Sequence, residues 1–383
     1  MTRLLALWLP TLPTDRIRRR EAVGADPLVT VAAVKGAQRL AAVDAAAAAA
    51  RLRPGMPLAD ARAICRPLTV RPADPAAEAA TLGTVGEWCL RFTPIVALDP
   101  PDGLTLDVTG AAHLFGGEAA LRFGLVRDLG ERGFQALAAV ADTAEAAWAL
   151  ARHSTIGVAL SGPEALLHLA HPLPLAALRL DPAMVTALAQ AGFRTIGDLL
   201  DRPRAPVAAR FGVALMARLD ALLGWTRSPI APIAPVPPIL AERRFAQPIA
   251  TVDAVEASLA RLGRHLCAQL ERAQKGARRI ELTLFRVDGA VKRLTVGTGR
   301  PTRDPAAVAR LFHEKLESLG EDGLDTGYGF DVMRLGAAVT EGLTADQVAF
   351  EAAVDRAAEA DLAALVDRLG ARLGVTRVLQ LHD

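Results

Sequence analysis

Three aspartates, Asp99, Asp102 and Asp107, stand in and around the turn Pro100-Pro101-Asp102-Gly103. Carboxylates on adjacent strands are the groups that hold the Mg²⁺ pair of phosphoryl transfer, because hard divalent cations take oxygen ligands. That chemistry needs a further carboxylate facing them from the first strand. The opening apolar run, Leu4-Leu5-Ala6-Leu7-Trp8-Leu9, supplies none. An altered metal set built from the three aspartates requires Asp102 and Asp107 to face one cleft, although strand side chains alternate between faces.

Other sources of chemistry are sparse. His168 and His171 have the spacing of one helix face, but Pro172 ends that helix and no carboxylate or cysteine sits beside them, which argues against a ligand role. Cys65, Cys89 and Cys267 are far apart, odd in number and lack CxxC spacing, so they read as buried thiols rather than a disulfide framework or a zinc site. There is no Walker-type loop and no GxGxxG.

Charge is more informative locally than globally. The chain has a net charge of +2, yet between residues 261 and 303 Arg261, Arg264, Arg272, Lys275, Arg278, Arg279, Arg286, Lys292, Arg293, Arg300 and Arg303 face only Glu271, Glu281 and Asp288. Such a segment suits a phosphate backbone, whose neutralisation releases counterions whatever the base sequence. A solvated charged surface has the same composition. Arg16, Arg18, Arg19 and Arg20, at helical spacing, read as a solvated face.

Positioning these residues takes several elements. With 51% hydrophobic and 22% charged residues over 383 positions, the chain can bury cores and is not disordered; aromatics at 4% point to Leu/Val/Ala packing. No apolar run is long enough to cross a bilayer. Strands are expected at Leu4 to Leu9, Leu28 to Val34, Gln38 to Val43, Pro94 to Leu98, Leu104 to Val108 and Phe134 to Ala141. Helices are expected at Pro57 to Cys65, Pro75 to Arg91, Gly117 to Arg132 and Thr143 to His153, covering one face of the sheet. An all-helical unit follows, in which Thr195 and Asp198 form a capping-box-like pair after Gly192; a helix start of this kind can hold a phosphate. Ser228 to Pro238 is proline-rich and reads as a stiff extended linker. Beyond it come a helix at Val252 to Gln274, strands at Arg278 to Val287 and Val291 to Thr298, a helix at Asp304 to Leu319 and a strand near Tyr328 to Leu335. An acidic segment after Thr340 ends in a helix near Asp361 to Leu373.

The order of these landmarks resembles the Y-family of lesion-bypass DNA polymerases over about residues 1 to 340. Pro54-Gly55-Met56-Pro57-Leu58 followed by Ala59 to Cys65 is similar to the family's fingers segment, Leu106-Asp107-Val108-Thr109-Gly110 to the run after its catalytic Asp-Glu pair, and Gly192 to Leu199 to its thumb. The resemblance implies an α+β multidomain right hand of palm, fingers, helical thumb and α/β little finger. Palm and fingers would span 1–165 (fingers about 11–73), the thumb 166–226 with a helix-hairpin-helix-like segment, the linker 227–240, the little finger 241–340 and a C-terminal tail 341–383.

The departures from the family pattern bear on activity. An active member carries an aspartate where this chain has Trp8, and its Asp-Glu pair falls on Asp102 and Gly103. The triphosphate-holding Tyr and Arg align with Ala45 and Ala48, the palm lysine falls near Ala144, and the thumb's Gly-Ile-Gly aligns with Arg179-Leu180-Asp181. Together with the opening Leu7 to Arg16 and the run Asp102 to Glu118, this pattern resembles the catalytically inactive branch of the family that serves bacterial damage-induced mutagenesis. That branch implies a non-catalytic, cytoplasmic, nucleoid-associated DNA-binding scaffold of SOS-induced translesion synthesis. Its partners would be primer-template DNA, the sliding clamp, an error-prone C-family polymerase and a RecA-like protein. No cofactor is implied, and Mg²⁺ only if the chain is instead an active lesion-bypass polymerase with an altered metal site. DNA contacts would come from Arg261, Arg264, Lys275, Arg278, Arg279, Arg286, Lys292, Arg293, Arg300, Arg303 and Thr195. The clamp-binding peptide would be Gln347-Val348-Ala349-Phe350, and Leu365 to Gly374 would begin a partner-binding extension continuing beyond Asp383. A DNA-independent interaction protein is the reading from another class.

Overall fold

A computed structural model describes residues 2–226, 228–233, 237, 239–319, 323–343 and 353–373, with side chains in the last stretch from residue 362. The chain forms two compact units, 1–234 and 235–383. In chain order the first contains β1 (Leu4–Trp8), α1 (Leu12–Arg20), β2 (Leu28–Val34), β3 (Ala37–Val43), α2 (Ala45–Ala49), α3 (Leu58–Ile64), β4 (Thr69–Pro72), α4 (Pro75–Cys89), β5 (Val96–Asp99), β6 (Gly103–Asp107), α5 (Glu118–Glu131), β7 (Leu137–Ala141) and α6 (Ala144–His153). Five further helices complete it: α7 (Pro163–Ala170), α8 (Pro182–Gln190), α9 (Ile196–Leu200), α10 (Arg204–Phe211) and α11 (Val213–Leu222).

The palm is a sheet of order β5-β6-β1-β7, with β1 antiparallel to both neighbours. Leu4, Leu5, Ala6 and Leu7 of β1 are all buried, because helices cover both faces and an apolar run without alternation is what such a strand requires. The expectation of helices on one face is corrected here. α6 packs on the face bearing Ala6, Ala139 and Ala141, while α4 lies against Leu104 on the other, where Gly86 lets Leu98, Leu104 and Ile233 approach. Alanines on both sides of the α6 contact bring helix and sheet close, and Trp8 and Trp148 pack against this cluster.

The smaller sheet, β3-β2-β4, forms the fingers around Val29, Leu40, Ala47, Leu52, Ala61 and Cys65. Its hairpin turns at Lys35 and Gly36, both at positive φ, as a two-residue hairpin turn demands. β4, which the sequence pattern did not suggest, pairs parallel to β2. Asp44 caps α2 through the Ala47 N–H at 2.7 Å and takes the Arg18 guanidinium at 2.6 Å, so Arg18 is structural rather than a solvated face.

The second unit contains β8 (Ile239–Ile249), α12 (Val252–Arg272), β9 (Lys275–Arg286), β10 (Val291–Thr302), α13 (Pro305–Glu317), β11 (Phe330–Gly342) and α14 (Ala353–Leu373). Its sheet has the order β10-β9-β11-β8. The strand β8 is a correction: the sequence pattern puts Ile239 and Leu240 in the linker and points to no strand before α12. Its charged and half-buried sequence lacks clean alternation, and β11 supplies the pairing that makes it a strand. α12 buries Val255, Leu259, Leu262, Leu266 and Leu270 at helical spacing against the sheet. Phe285, Phe312 and Phe330 are fully buried, so this unit departs from the expected aliphatic packing. α14 packs on β10 and α13: Arg368 donates to Glu314 at 2.5 Å and Asp367 accepts the Gly299 N–H at 2.5 Å. The tail segment expected to begin a partner-binding extension is thus partly folded onto this unit.

The start of β1 is tied by Arg3, which donates to both oxygens of Glu118 at 2.7 and 2.6 Å, to Asp142 at 2.7 Å and to the Ala159 carbonyl at 2.7 Å. Burial pushes the Asp142 carboxyl up, but hydrogen bonds from Gly162, Arg3 and Ser161 outweigh it and hold the group below the usual carboxylate range. Its contribution is therefore present above the unfolded value of about 4 and is lost as pH falls through the folded one. Asp142→Asn is expected to cost about 2 kcal/mol at pH 7 in a denaturant melt and to flatten the loss of stability on acidification.

Candidate functional site

The β1–β6 register sets Trp8 directly across from Gly103, with Asp102 one residue before it. These are the three positions at which the resemblance places metal ligands. The Trp8 indole Nε1 donates to Asp102 Oδ2 at 2.8 Å, and Arg152 Nη2 donates to Asp102 Oδ1 at 2.8 Å. Both carboxylate oxygens are therefore engaged by protein donors. Arg152, one helical turn beyond Trp148 on α6, lies 4.3 Å from the Trp148 ring centroid and 5.2 Å from that of Trp8. Its side chain is only 9% exposed, and burial lowers its pKa against the opposing pull of Asp102.

Asp99 stays beside Gly103, with Oδ2 3.2 Å from where a Cβ on that glycine would stand, but it has a different partner. Its Oδ1 accepts from Arg179 Nη2 at 2.5 Å, and the Arg179 guanidinium lies 4.8 Å from the Trp148 ring centroid. Arg179 has φ +54, a left-handed backbone that favours glycine, and its side chain reaches the palm. Asp107 pairs with Leu4 at the other end of β6, about 13 Å along the strand from Gly103, and caps the Thr109 N–H at 2.9 Å. The altered set of Asp99, Asp102 and Asp107 does not converge, and no group of three or more His, Cys, Asp or Glu arranged to hold a metal exists among the described residues. Ala45 and Ala48, where the resemblance places the triphosphate-holding groups, are exposed on α2. His168 and His171 line a cavity of about 340 Å³ with Glu164, Leu167, Leu200 and Asp201.

In the thumb, the Thr195 hydroxyl accepts the Asp198 N–H at 3.3 Å, and Asp198 Oδ2 accepts the N–H groups of Arg194 and Thr195 at 2.7 and 2.9 Å. The capping box forms as the sequence indicates, and it spends the backbone donors that a phosphate would use.

The basic residues of the second unit do not share one surface. Arg261 and Arg264 are exposed on α12, and Lys275 and Lys292 are exposed on the strands. Arg278 donates to the Thr298 carbonyl at 2.6 Å and to Glu341 at 3.1 Å, and Arg303 to the Leu343 carbonyl at 3.2 Å. Arg286 clamps its hairpin through Asp288 at 2.7 Å and through Asp325. Arg279 and Arg293 lie on the sheet face turned away from Ile280, Leu282 and Leu284. Strand register adds Arg334 and Glu242 in a row with Arg293 and Thr283, and Arg244 beside them. Arg244 and Arg334 escape the sequence reading because they lie outside the basic run 261–303. Arg300 is exposed; Gln347 and Phe350 lie outside the described residues.

A four-stranded antiparallel palm with fingers, a helical thumb and a separate sheet unit defines a Y-family DNA polymerase fold. An insertion ternary complex of Dbh DNA polymerase matches with a TM-score of 0.52 and 12% identity, over 90% of this chain and 100% of that one. DinB from Sulfolobus solfataricus matches with a TM-score of 0.50 and 13% identity, over 88% and 98%. The impB/mucB/samB family model matches residues 17–152, and the model of that family's C-terminal domain matches residues 237–351. Protein ImuB of Caulobacter vibrioides (strain NA1000 / CB15N) is 40% identical over 327 residues, 85% of this chain and 70% of that protein. The chain belongs to the impB/mucB/samB family. No helix among the described residues is long and apolar enough to cross a membrane.

Trp8→Phe keeps a ring beneath Arg152 but removes the donor to Asp102 Oδ2. The expected loss is about 1 kcal/mol in a urea melt, with the palm fold retained by circular dichroism.

Proposed function

We propose that this protein is a non-catalytic, polymerase-like DNA-binding scaffold of damage-induced mutagenesis. The observation that carries the reading is the state of Asp102: it is the one carboxylate left at the three ligand positions, and both its oxygens are bonded to Trp8 and Arg152. Two-metal phosphoryl transfer needs several carboxylate oxygens free to converge on cations, together with a held triphosphate. Trp8, Gly103, Ala45 and Ala48 supply none of these groups. DNA binding without chemistry remains available to the second unit through Arg279 and Arg293 on the sheet and through Arg261 and Arg264 on α12.

In this role the chain would hold primer-template DNA without sequence preference while the sliding clamp, an error-prone C-family polymerase and the RecA-like ImuA partner assemble on it. Support for these partners is the 40% identity to Protein ImuB. Gln347 to Phe350 is the segment we assign to the clamp.

Primer extension with purified protein, Mg²⁺ or Mn²⁺ and four deoxynucleotides is expected to add no nucleotide, while fluorescence anisotropy shows DNA binding that weakens with salt. Arg279→Ala and Arg293→Ala are each expected to weaken binding at every sequence and to lower the salt slope by about 1. Arg286→Ala is expected to lower stability instead, with the salt slope kept. Extension abolished by Asp102→Ala would overturn the reading in favour of an active polymerase. Binding indifferent to salt would point to an interaction protein that does not need DNA.

A further inference from the structure

The fold implies a pair of divalent cations in the palm, and the residues present do not fit them. A divalent site requires converging oxygens and no competing positive charge. Here a guanidinium lies among the ligand positions. Arg152 Nη2 is 2.8 Å from Asp102 Oδ1, and a Cβ built on Gly103 would come within 2.9 Å of the same Nη2 and 3.0 Å of the Asp99 carbonyl. The space through which a carboxylate at position 103 would reach a metal is thus taken by a cation that cannot be deprotonated at physiological pH.

The guanidinium is also held there from several sides. The rings of Trp8 and Trp148 lie 5.2 and 4.3 Å from it, and the Trp8 indole fixes the other oxygen of the same carboxylate. Arg179 from the thumb lies over the same Trp148 ring and is neutralised by Asp99. Arg152 Nη1 is buried without a hydrogen-bond partner, a cost that an arginine free to reach water would avoid. Aromatic contact and two nearby carboxylates offset it.

We propose that Arg152 is a resident cation standing in the place of the metal ions, and that it excludes divalent cations from this palm by occupancy and charge. The inference rests on the non-catalytic reading and deepens it: losing the ligands at Trp8 and Gly103 is one barrier, and Arg152 is a second that persists when they are restored. The indole of Trp8 and the absent side chain at Gly103 make room for Arg152.

The test is Mn²⁺ binding, read by electron paramagnetic resonance of the free ion, with folding checked by thermal melts. Trp8→Asp with Gly103→Glu is expected to bind Mn²⁺ no better than the parent chain. Adding Arg152→Ala to that pair is expected to raise Mn²⁺ affinity by about tenfold or more, because a like charge in contact with the site is removed. A double variant that binds as tightly as the triple, or a triple that gains nothing, would overturn the proposal. A readout on the unaltered protein does not depend on variants folding. Mn²⁺ should broaden the Trp8 indole N–H resonance no more than that of exposed Trp225, and selective broadening at Trp8 would overturn the proposal. Primer extension by the parent chain without that broadening would sink the non-catalytic reading and leave the exclusion by Arg152 standing.

Discussion

The antiparallel pairing of β1 with β6 puts Trp8 opposite Gly103, and most of what the first unit can do follows from that register. A large indole facing a residue with no side chain leaves a space lined by rings and the carboxylates of Asp99 and Asp102. Arg152 enters that space from α6. The same helix presents Ala146, Ala147, Leu150 and Ala151 to the palm core, and Ala149 to the thumb core. Position and charge at the centre of the palm are therefore fixed by elements that also hold the hand together.

The thumb is joined through the same group of residues. The Thr143 hydroxyl donates to the Leu222 carbonyl at 3.0 Å, and Arg179 crosses to Asp99. An active polymerase of this fold has to admit metal and nucleotide at the palm. In this chain Trp8 and Arg152 occupy the space beside Asp102 and Gly103, and protein groups alone make the contact between palm and thumb. This is compatible with a molecule that presents a DNA-holding surface and leaves synthesis to another.

In the second unit, surface charge is divided by the sheet. Arg278, Arg286 and Arg303 neutralise local acids or carbonyls and shape the hairpins, whereas Arg279 is exposed on the sheet face that also carries Arg293, itself paired with Glu281, and Arg261 and Arg264 are exposed on the helix. A count of basic residues treats these as equivalent. Phosphate binding depends on cations left partly uncommitted on one surface, which the strand register decides. Glu242 and Glu281 on the same face temper it further, through ion pairs with Arg334 and Arg293.

The sequence by itself determined which groups are absent and the order of the elements. The resemblance places Trp8, Gly103, Ala45 and Ala48 where an active member carries its functional groups, and none of the four bears a carboxylate or a cation. The capping box at Thr195 and Asp198, the amphipathic stripe of α12 and the proline-rich linker are local patterns, governed by residues within a turn or two. Tertiary structure decided what replaced the missing groups. Asp102 and Arg152 are 50 positions apart and Asp99 and Arg179 are 80, and no periodicity reports such pairs. The one-turn spacing of Trp148 and Arg152 on α6 fits a core stripe as well as an aromatic–cation pair. β4 and β8 likewise exist because β2 and β11 offer partners, since a strand's hydrogen bonds are made to another segment and its own sequence specifies them only weakly.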